Sequence, residues 1–486
     1  MSSVRPITTG GTGAVSAAHP LAAGAGLMVL GHGGNACDAM IAAQAALAVV
    51  APASCGLGGD MLALVHEPAK GTRAVNGTGA APMDQSFHEV TSPALSVTVP
   101  GLVAAWCDAN RSFGKLPLAA CLAPAIEMAR YGCTLSAGDR ASIAEQRERL
   151  TSGGASGWSV VRDGAVDAPV TQPELAALLE RVGTDGEAAF YDGTIAAAIA
   201  RVVQERGGLL SEHDMRRHRS FVGEPVTVDW QGGKVEVQPP MTQGVLLALS
   251  LKTLQGLSIA DAASLDHLCV ELTEASFQYR AKVAEGEALL GQSLDIDLNR
   301  ASGRGGPRAY LHTAGVATAD AEGQVCSSLI SVFDSFGSCI FVPEGGFVLN
   351  NRAEGFTAAP NDAGPGKRPV HTLAPMIFRE GKKVTAMATP GADGQVQTLL
   401  QILAKIGAGG TDLAAAIHAP RWRSEDGVLL VAQGHPEAEH LNSLGHQVVM
   451  RPDGDLCFGG VVCAGFGAGR PFAGSDWRRE VWHAVL

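Results

Sequence analysis

Thr313 and Ser331 are the two side chains whose type and spacing first suggest chemistry. They lie at the far ends of two runs rich in β-branched and small residues, Thr313–Ala319 and Gln324–Phe333, separated by Asp320-Ala321-Glu322-Gly323. An Asp opening such a turn and a Gly closing it mark a type I turn that ends on a left-handed residue, so the segment reads as a β-hairpin. If Asp320 pairs with Gln324, the numbers of paired residues sum to 644 and Thr313 faces Ser331 on one side of the sheet. Two hydroxyls at the end of a rigid hairpin suit nucleophilic catalysis, although cross-strand Thr–Ser pairs are also ordinary structural contacts.

Other catalytic patterns are missing from the sequence. There is no G-x-S-x-G elbow and no H-E-x-x-H helix. His213 and His218 are five apart, the wrong spacing for one helical face. Gly465-Phe466-Gly467-Ala468-Gly469 has neither the spacing nor the strand–helix context of a dinucleotide loop. The ten cysteines run from Cys37 to Cys463 without a CxxC, which points to buried free thiols in a reducing cytoplasm.

The elements that must carry the hairpin change character along the chain. Pro20 opens an alanine-rich helix that ends near Gly31–Gly34, and Asn35 caps a second one reaching about Val50. A glycine turn, Gly56-Leu57-Gly58-Gly59-Asp60, leads into the strand Met61–Val65. Further helices fit Leu118–Arg130, Ser136–Leu150, Pro173–Val182, Thr194–Arg206, Leu246–Leu254 and Ser264–Glu285, with strand-like Pro225–Pro240 between the last two pairs. After the glycine-rich stretch Ala301–Pro307, the region from Tyr310 to about Leu349 is β-rich, and a long helix fits Gln395–Lys405. Without strict βαβ alternation, this order favours a layered α+β fold over a doubly wound parallel sheet.

Bulk properties narrow the partners. A chain of 486 residues with 46% hydrophobic and 17% charged residues is globular and long enough for a large core. The net charge of −12, with no basic cluster, argues against nucleic acid. The longest apolar stretch, Met40–Ala53, is too short to span a bilayer. Met1–Ala18 holds one arginine and no apolar core before its glycines, so no secretory signal is expected.

An ordered set of short segments resembles the γ-glutamyltransferases, a family of N-terminal-nucleophile hydrolases. Among them are His19-Pro20-Leu21-Ala22, Gly33-Gly34-Asn35-Ala36-Cys37-Asp38-Ala39, Gly56–Asp60 and Val97-Thr98-Val99-Pro100-Gly101. In the second half Phe336-Gly337-Ser338, Leu349-Asn350-Asn351, Gly366-Lys367-Arg368-Pro369 and Thr389-Pro390-Gly391 follow in the family's order. The resemblance implies a four-layer αββα sandwich. It also implies autocatalytic cleavage of a zymogen between His312 and Thr313, giving a large subunit, 1–312, and a small one, 313–486. Thr313 would be the nucleophile, and its freed α-amine, with an ordinary pKa of about 7.7–8.0, the base for its own hydroxyl. Ser331 matches a hydroxyl that hydrogen-bonds the nucleophile, and Gly391 and Ala392 match the pair forming the oxyanion hole. No metal or organic cofactor is implied, and the partners are a small amide substrate and the chain's own two subunits. Whether such heterodimers pair further is left open.

The chain departs from that pattern where the family binds glutamate. Thr78 stands in place of the carboxylate-binding Arg, Gly355 in place of the Asp that takes the α-amine, Phe333 in place of a polar contact, and His371-Thr372 in place of a serine pair. A carboxylate buried without its Arg is costly to desolvate, so γ-glutamyl binding is expected to be weak. Oxamate amidohydrolases and cephalosporin acylases of the same family keep the chemistry with altered pockets. The expected reaction is therefore amide hydrolysis or acyl transfer on an oxamate-like or dicarboxylic monoamide, with Arg352 and Arg368 as candidate carboxylate ligands and His371 as a candidate donor to the substrate carbonyl. The alternatives are a γ-glutamyl hydrolase or transferase, a cephalosporin acylase, and a non-catalytic binding protein that keeps the fold.

Overall fold

Seven antiparallel strands flank and include the hairpin. The computed structural model describes residues 4–257, 262–306 and 313–486. The first sheet runs Trp482–Val485, Gly13–Ala17, Ala314–Asp320, Val325–Ser331, Asp60–Glu67, Gly71–Asn76 and Phe221–Gly223. The turn forms as its residues require: Asp320 N–H donates to Gln324 O at 3.1 Å, and Gly323 sits at φ +88°. Ala314 pairs with Ile330 and Ala319 with Val325, so the register is the one that sums to 644.

A second seven-stranded sheet lies against the first, in the order Thr8–Thr9, Arg470–Ser475, Val462–Gly467, Lys383–Ala388, Met376–Glu380, Gly233–Val237 and Val226–Trp230. The core between the sheets is built largely from small side chains, including Ala14, Ala74, Ala317, Ala319, Ala386 and Ala464, filled out by Leu62, Leu64 and Leu329. Helices cover both outer faces. Pro20–Gly31, Ala36–Val50 and Leu102–Phe113 bury their apolar sides on the first sheet, and Leu118–Tyr131 packs over Ala36–Val50. Gly244–Gln255 and Gly394–Gly407 do the same on the second, with Ala262–Phe277 packed against both of these helices. The result is the four-layer αββα sandwich.

Local signals explain many boundaries. Asn35 and Asp38 form a reciprocal capping box at the start of Ala36–Val50. Leu102–Phe113, which the sequence reading passes over, begins at Gly101 with no side-chain cap. The helix expected over Ser264–Glu285 ends at Phe277 and continues as 3-10 turns over Arg280–Gly291, broken at Gly286, whose φ is +57°. Residues up to 306 and residues from 313 onward both supply strands to each sheet, so a cut before Thr313 would leave two interleaved chains.

The turn Gly56–Asp60 has to be glycine-rich for a steric reason. A Cβ at Gly59 would lie 2.3 Å from the Ser331 carbonyl oxygen, and one at Gly58 2.0 Å from that of Val348. This close approach brings Asp60 alongside the end of the hairpin.

Candidate active site

Sheet register assembles the site. Thr313 leads into the strand Ala314–Asp320, and Ser331 pairs directly with Asp60 on the neighbouring strand. Leu62 pairs with Asn76, and the Gly77 N–H donates to Met61 O at 2.9 Å, so the same register brings Thr78 level with Asp60. Alternate residues of these strands (Leu62, Leu64, Ala317, Leu329) belong to the core between the sheets. Thr313, Ser331, Asp60 and Thr78 therefore form a row across four chain segments, facing the second sheet. Thr313 and Ser331 are buried, and the Thr313 hydroxyl donates to Ser331 Oγ over a long 3.5 Å. Ser331 Oγ also accepts the Phe333 N–H at 2.9 Å, with Phe333 held at φ +86°.

Asp60 is a site residue that the sequence reading quotes only as the end of a turn. It is fully buried. Its Oδ2 lies 3.1 Å from His371 Nε2 and 3.4 Å from Arg352 Nε, while Oδ1 accepts the Gly79 N–H at 3.2 Å. Burial works to raise the Asp60 pKa, but the His371 hydrogen bond and the Arg352 charge outweigh it and leave the pKa below its ordinary value. Burial, reinforced by Arg352, lowers His371 to about 4, so this ring is neutral at pH 7. His371 Nδ1 accepts the Leu373 N–H at 3.2 Å, which assigns the ring proton to Nε2, donating to Asp60. Both nitrogens are thereby used. In this arrangement His371 braces Asp60.

Arg352 lies in the 3-10 turn Arg352–Gly355 that follows Asn350 and Asn351. Asn350 Oδ1 accepts the Arg352 N–H at 3.0 Å, and its Nδ2 donates to Gly58 O, tying this turn to the glycine turn before Asp60. The guanidinium is fully buried, its carbon 4.4 Å from the Phe333 ring centroid. Burial lowers its pKa to about 10, so it remains a cation at neutral pH. Neither Nη group has a hydrogen-bond acceptor among the described residues. Arg368 is half-buried and gives its Nε to the Thr78 carbonyl at 3.0 Å, while the Thr78 hydroxyl donates to Asn76 Oδ1 at 2.7 Å. Phe333 and Gly355 border a cleft of about 490 Å³ together with Asp393 and Arg280, which form an ion pair at 3.0 Å.

Gly391 and Ala392 occupy a strained turn at φ +125° and +47°. Their carbonyls are pinned from behind. Arg423 Nη2 donates to Gly391 O at 3.2 Å, and Gln243 Nε2 donates to both Ala392 O at 2.8 Å and Thr372 O at 2.6 Å. No acceptor within the described residues takes the Gly391 or Ala392 N–H. Free N–H groups on a braced turn are what an oxyanion hole requires. Pro390, at the head of this turn, borders the same cavity as Thr313. His312, expected as the residue before the cut, lies outside the described residues.

Metal-ligand types gather only at His267, Glu271 and His446 among the described residues. The two rings are hydrogen-bonded to each other at 2.9 Å, and Glu271 pairs with Arg304 at 3.1 Å.

Two central antiparallel sheets between helical layers, with a hydroxyl row at the end of an inner hairpin, define the N-terminal-nucleophile hydrolase type of fold. The chain belongs to the γ-glutamyltranspeptidase family, whose family model matches residues 22–485. It is 31% identical over 489 residues to the oxamate amidohydrolase proenzyme of Klebsiella pneumoniae, covering 91% of this chain and 92% of that one. It is also 31% identical to the glutathione hydrolase-like YwrD proenzyme of Bacillus subtilis, covering 83% of each chain. The acylase ACY 1 proenzyme of Pseudomonas sp. (strain V22) is 30% identical, over 91% of this chain and 88% of that one. The solved cephalosporin acylase of Bacillus halodurans superposes with a TM-score of 0.87 at 25% identity, covering 100% of this chain and 98% of that one. Among the described residues no helix is long and apolar enough to cross a membrane.

Proposed function

We propose that this protein is an autoprocessing amidohydrolase or acyltransferase that uses Thr313 as an N-terminal nucleophile on a small acyl amide bearing a carboxylate. In maturation the Thr313 hydroxyl attacks the His312 carbonyl, and N→O shift and hydrolysis free the α-amine. That amine then takes the Oγ proton as Oγ forms an ester with the substrate acyl carbon. Ser331 orients the hydroxyl, while the Gly391 and Ala392 N–H groups stabilise the developing oxyanion. One oxyanion donor is worth roughly 3–4 kcal/mol in other enzymes. Ten unpaired cysteines suit a reducing compartment such as the cytoplasm.

The observation that carries the substrate side is Arg352, a buried cation with both Nη groups free beside the hydroxyl row. A guanidinium fork of this kind matches a carboxylate in bidentate fashion. An α-ammonium group has no acidic partner at Gly355 and would meet the Arg352 charge. We therefore favour oxalyl, succinyl or glutaryl amides, as in an oxamate-like or dicarboxylic monoamide, over γ-glutamyl amides. The test is kcat/KM across that panel with a common amine. The des-amino acyl groups should lead γ-glutamyl by at least about tenfold, roughly the 1.4 kcal/mol of one modest unmatched charge. A preference for γ-glutamyl over every des-amino analogue would overturn this reading of the pocket.

Ser331→Ala provides a separate check on the nucleophile. Removing Oγ takes away the partner of the Thr313 hydroxyl and leaves the Phe333 N–H without its acceptor. Both chain cleavage and turnover should slow by about 10- to 100-fold, the cost of roughly 1.5–3 kcal/mol for a hydrogen bond to a group developing charge. Wild-type rates for both processes in Ser331→Ala would remove Ser331 from the mechanism.

A further inference from the structure

The turn at Gly391 and Ala392 opens directly into the helix Gly394–Gly407. The strand Trp422–Glu425 lies beside this helix and is tied to it by two glutamines one turn apart. Gln397 Oε1 accepts the Ser424 N–H at 2.8 Å, and Gln401 Oε1 accepts the Trp422 N–H at 3.1 Å. Arg423, between the two tied residues, reaches back to the helix start. Its side chain is buried, and a Cβ added to Gly394 would lie only 2.9 Å from its Cζ. A cation packed on the first turn of a helix stands against the macrodipole, whose positive end is there. The helix N-cap, Asp393, is paired with Arg280, and Arg423's own carboxylate partner, Glu425, is partly exposed, 3.2 Å from Nε. A charge kept where the local structure disfavours it calls for a functional reason.

The turn has other supports for its shape. Gly391 O accepts the Gly394 N–H at 2.8 Å, Pro390 O accepts the Thr389 hydroxyl at 3.1 Å, and Gln243 holds Ala392 O. Arg423 Nη2 adds a second, charged donor to Gly391 O at 3.2 Å, while Nη1 is anchored on Cys457 O at 2.7 Å. The Gly391 carbonyl and the Ala392 N–H belong to one peptide group. A cation hydrogen-bonded to the oxygen of that group draws electron density from its nitrogen and makes its N–H a stronger donor, the cooperative effect of linked hydrogen bonds. The Gly391 N–H shares its peptide group with Pro390 O, whose side-chain donor is the neutral Thr389 hydroxyl.

We infer that Arg423 is a positioning residue whose charge, passed through the Gly391–Ala392 peptide, makes the Ala392 N–H the stronger of the two oxyanion donors. This rests on the oxyanion role proposed above for these two N–H groups. As Thr313 Oγ bonds to the acyl carbon, the carbonyl electron pair moves onto the oxygen, and the polarised N–H meets that charge. When the carbon–nitrogen bond breaks, the pair returns to re-form the carbonyl of the ester, and Arg423 gives up no proton at either stage.

The test uses mature wild type, Arg423→Met and Arg423→Lys with succinamate, its product succinate, and the analogue carrying a boronic acid in place of the carboxamide. A boronate formed on Thr313 Oγ is tetrahedral and puts an oxygen where the oxyanion develops. Arg423→Met should lower kcat by about 10- to 30-fold, less than the roughly 10²–10³ for losing an oxyanion donor outright. It should weaken the boronic acid by a similar factor, with KM and succinate inhibition within about twofold of wild type. Arg423→Lys, which returns the charge, should recover most of both losses. An Arg423→Met protein with unchanged kcat, one that loses succinate as much as the boronic acid, or a Lys variant no better than Met overturns the inference. If the wild type neither hydrolyses succinamate nor binds the boronic acid, the acyl reading has failed, and NMR of the free protein then decides. Isotope labels on glycine carbonyls and alanine nitrogens select Gly–Ala peptides, and the Ala392 signal is assigned by its loss in Ala392→Gly. Its amide proton should move upfield in Arg423→Met and stay near the wild-type position in Arg423→Lys, and a signal unmoved in Arg423→Met refutes the polarisation.

Discussion

Thr313→Ala should remain a single chain of 49.9 kDa while the wild type separates into residues 1–312 and 313–486. Amide hydrolysis should fall by about 10⁴-fold or more, the scale seen when an enzyme loses its nucleophile and keeps only its binding and oxyanion groups. On the proposed mechanism both losses have one cause, because one hydroxyl would serve first against the chain's own carbonyl and then against substrate. The substitution should spare the fold. Thr313 precedes the paired part of its strand, and its methyl and hydroxyl contribute little to a core built by Ala317, Ala319 and Leu329. Intact-mass analysis and thermal melting of the same samples make the comparison. Thr313→Ser should restore both cleavage and turnover in part, since it returns the hydroxyl without the methyl. Wild-type protein that hydrolyses amides while still uncut would show that no free α-amine is needed, and the mechanism would fall. Cleavage of Thr313→Ala at the same bond would fail it equally.

Arg352→Gln carries the second large effect. Losing the cation should reduce kcat/KM for a carboxylate-bearing acyl amide by about 10²–10³-fold, in line with roughly 2–5 kcal/mol for one partner of a buried charge pair. Asp60 would be left buried without its countercharge, and this removal also costs about 3–5 kcal/mol of stability. Asp60→Asn with Arg352→Met removes both charges together and should recover much of the stability but none of the activity. The informative readout is selectivity. Wild type should prefer the free acid of the substrate to its methyl ester, and both variants should lose that preference whatever their melting temperature. Retention of the acid preference in Arg352→Gln would mean that another group, with Arg368 the nearest candidate, binds the carboxylate.

The hairpin, its turn and its 644 register were legible in the sequence because each depends on neighbours along the chain: Asp320 and Gly323 set the turn, and period-two alternation sets the face. The same is true of the helix capped by Asn35 and Asp38. Helix Leu102–Phe113 was not read from the sequence, although Leu118–Tyr131, equally without a side-chain cap, was. The layered α+β class followed from the order of elements, whereas the four-layer arrangement came from resemblance and is now visible in two sheets with helices on both outer faces. Thr313, Ser331, Gly391 and Ala392 could be singled out from motif order. What the sequence could not contain is the company they keep. Asp60 meets Ser331 across 271 residues and His371 across 311, a proximity made by strand pairing and by the packing of one sheet on another. Gln243 and Arg423 reach the turn at Gly391–Ala392 from two further elements and carry no local signal. His371 has the right chemistry for a donor, yet its partners Asp60 and Leu373 consume both nitrogens. Residue type and short-range spacing thus determined which groups can react. Burial and long-range register decided each side chain's neighbours, among them the buried Arg352 guanidinium beside the row, whose Nη groups have no acceptor among the described residues.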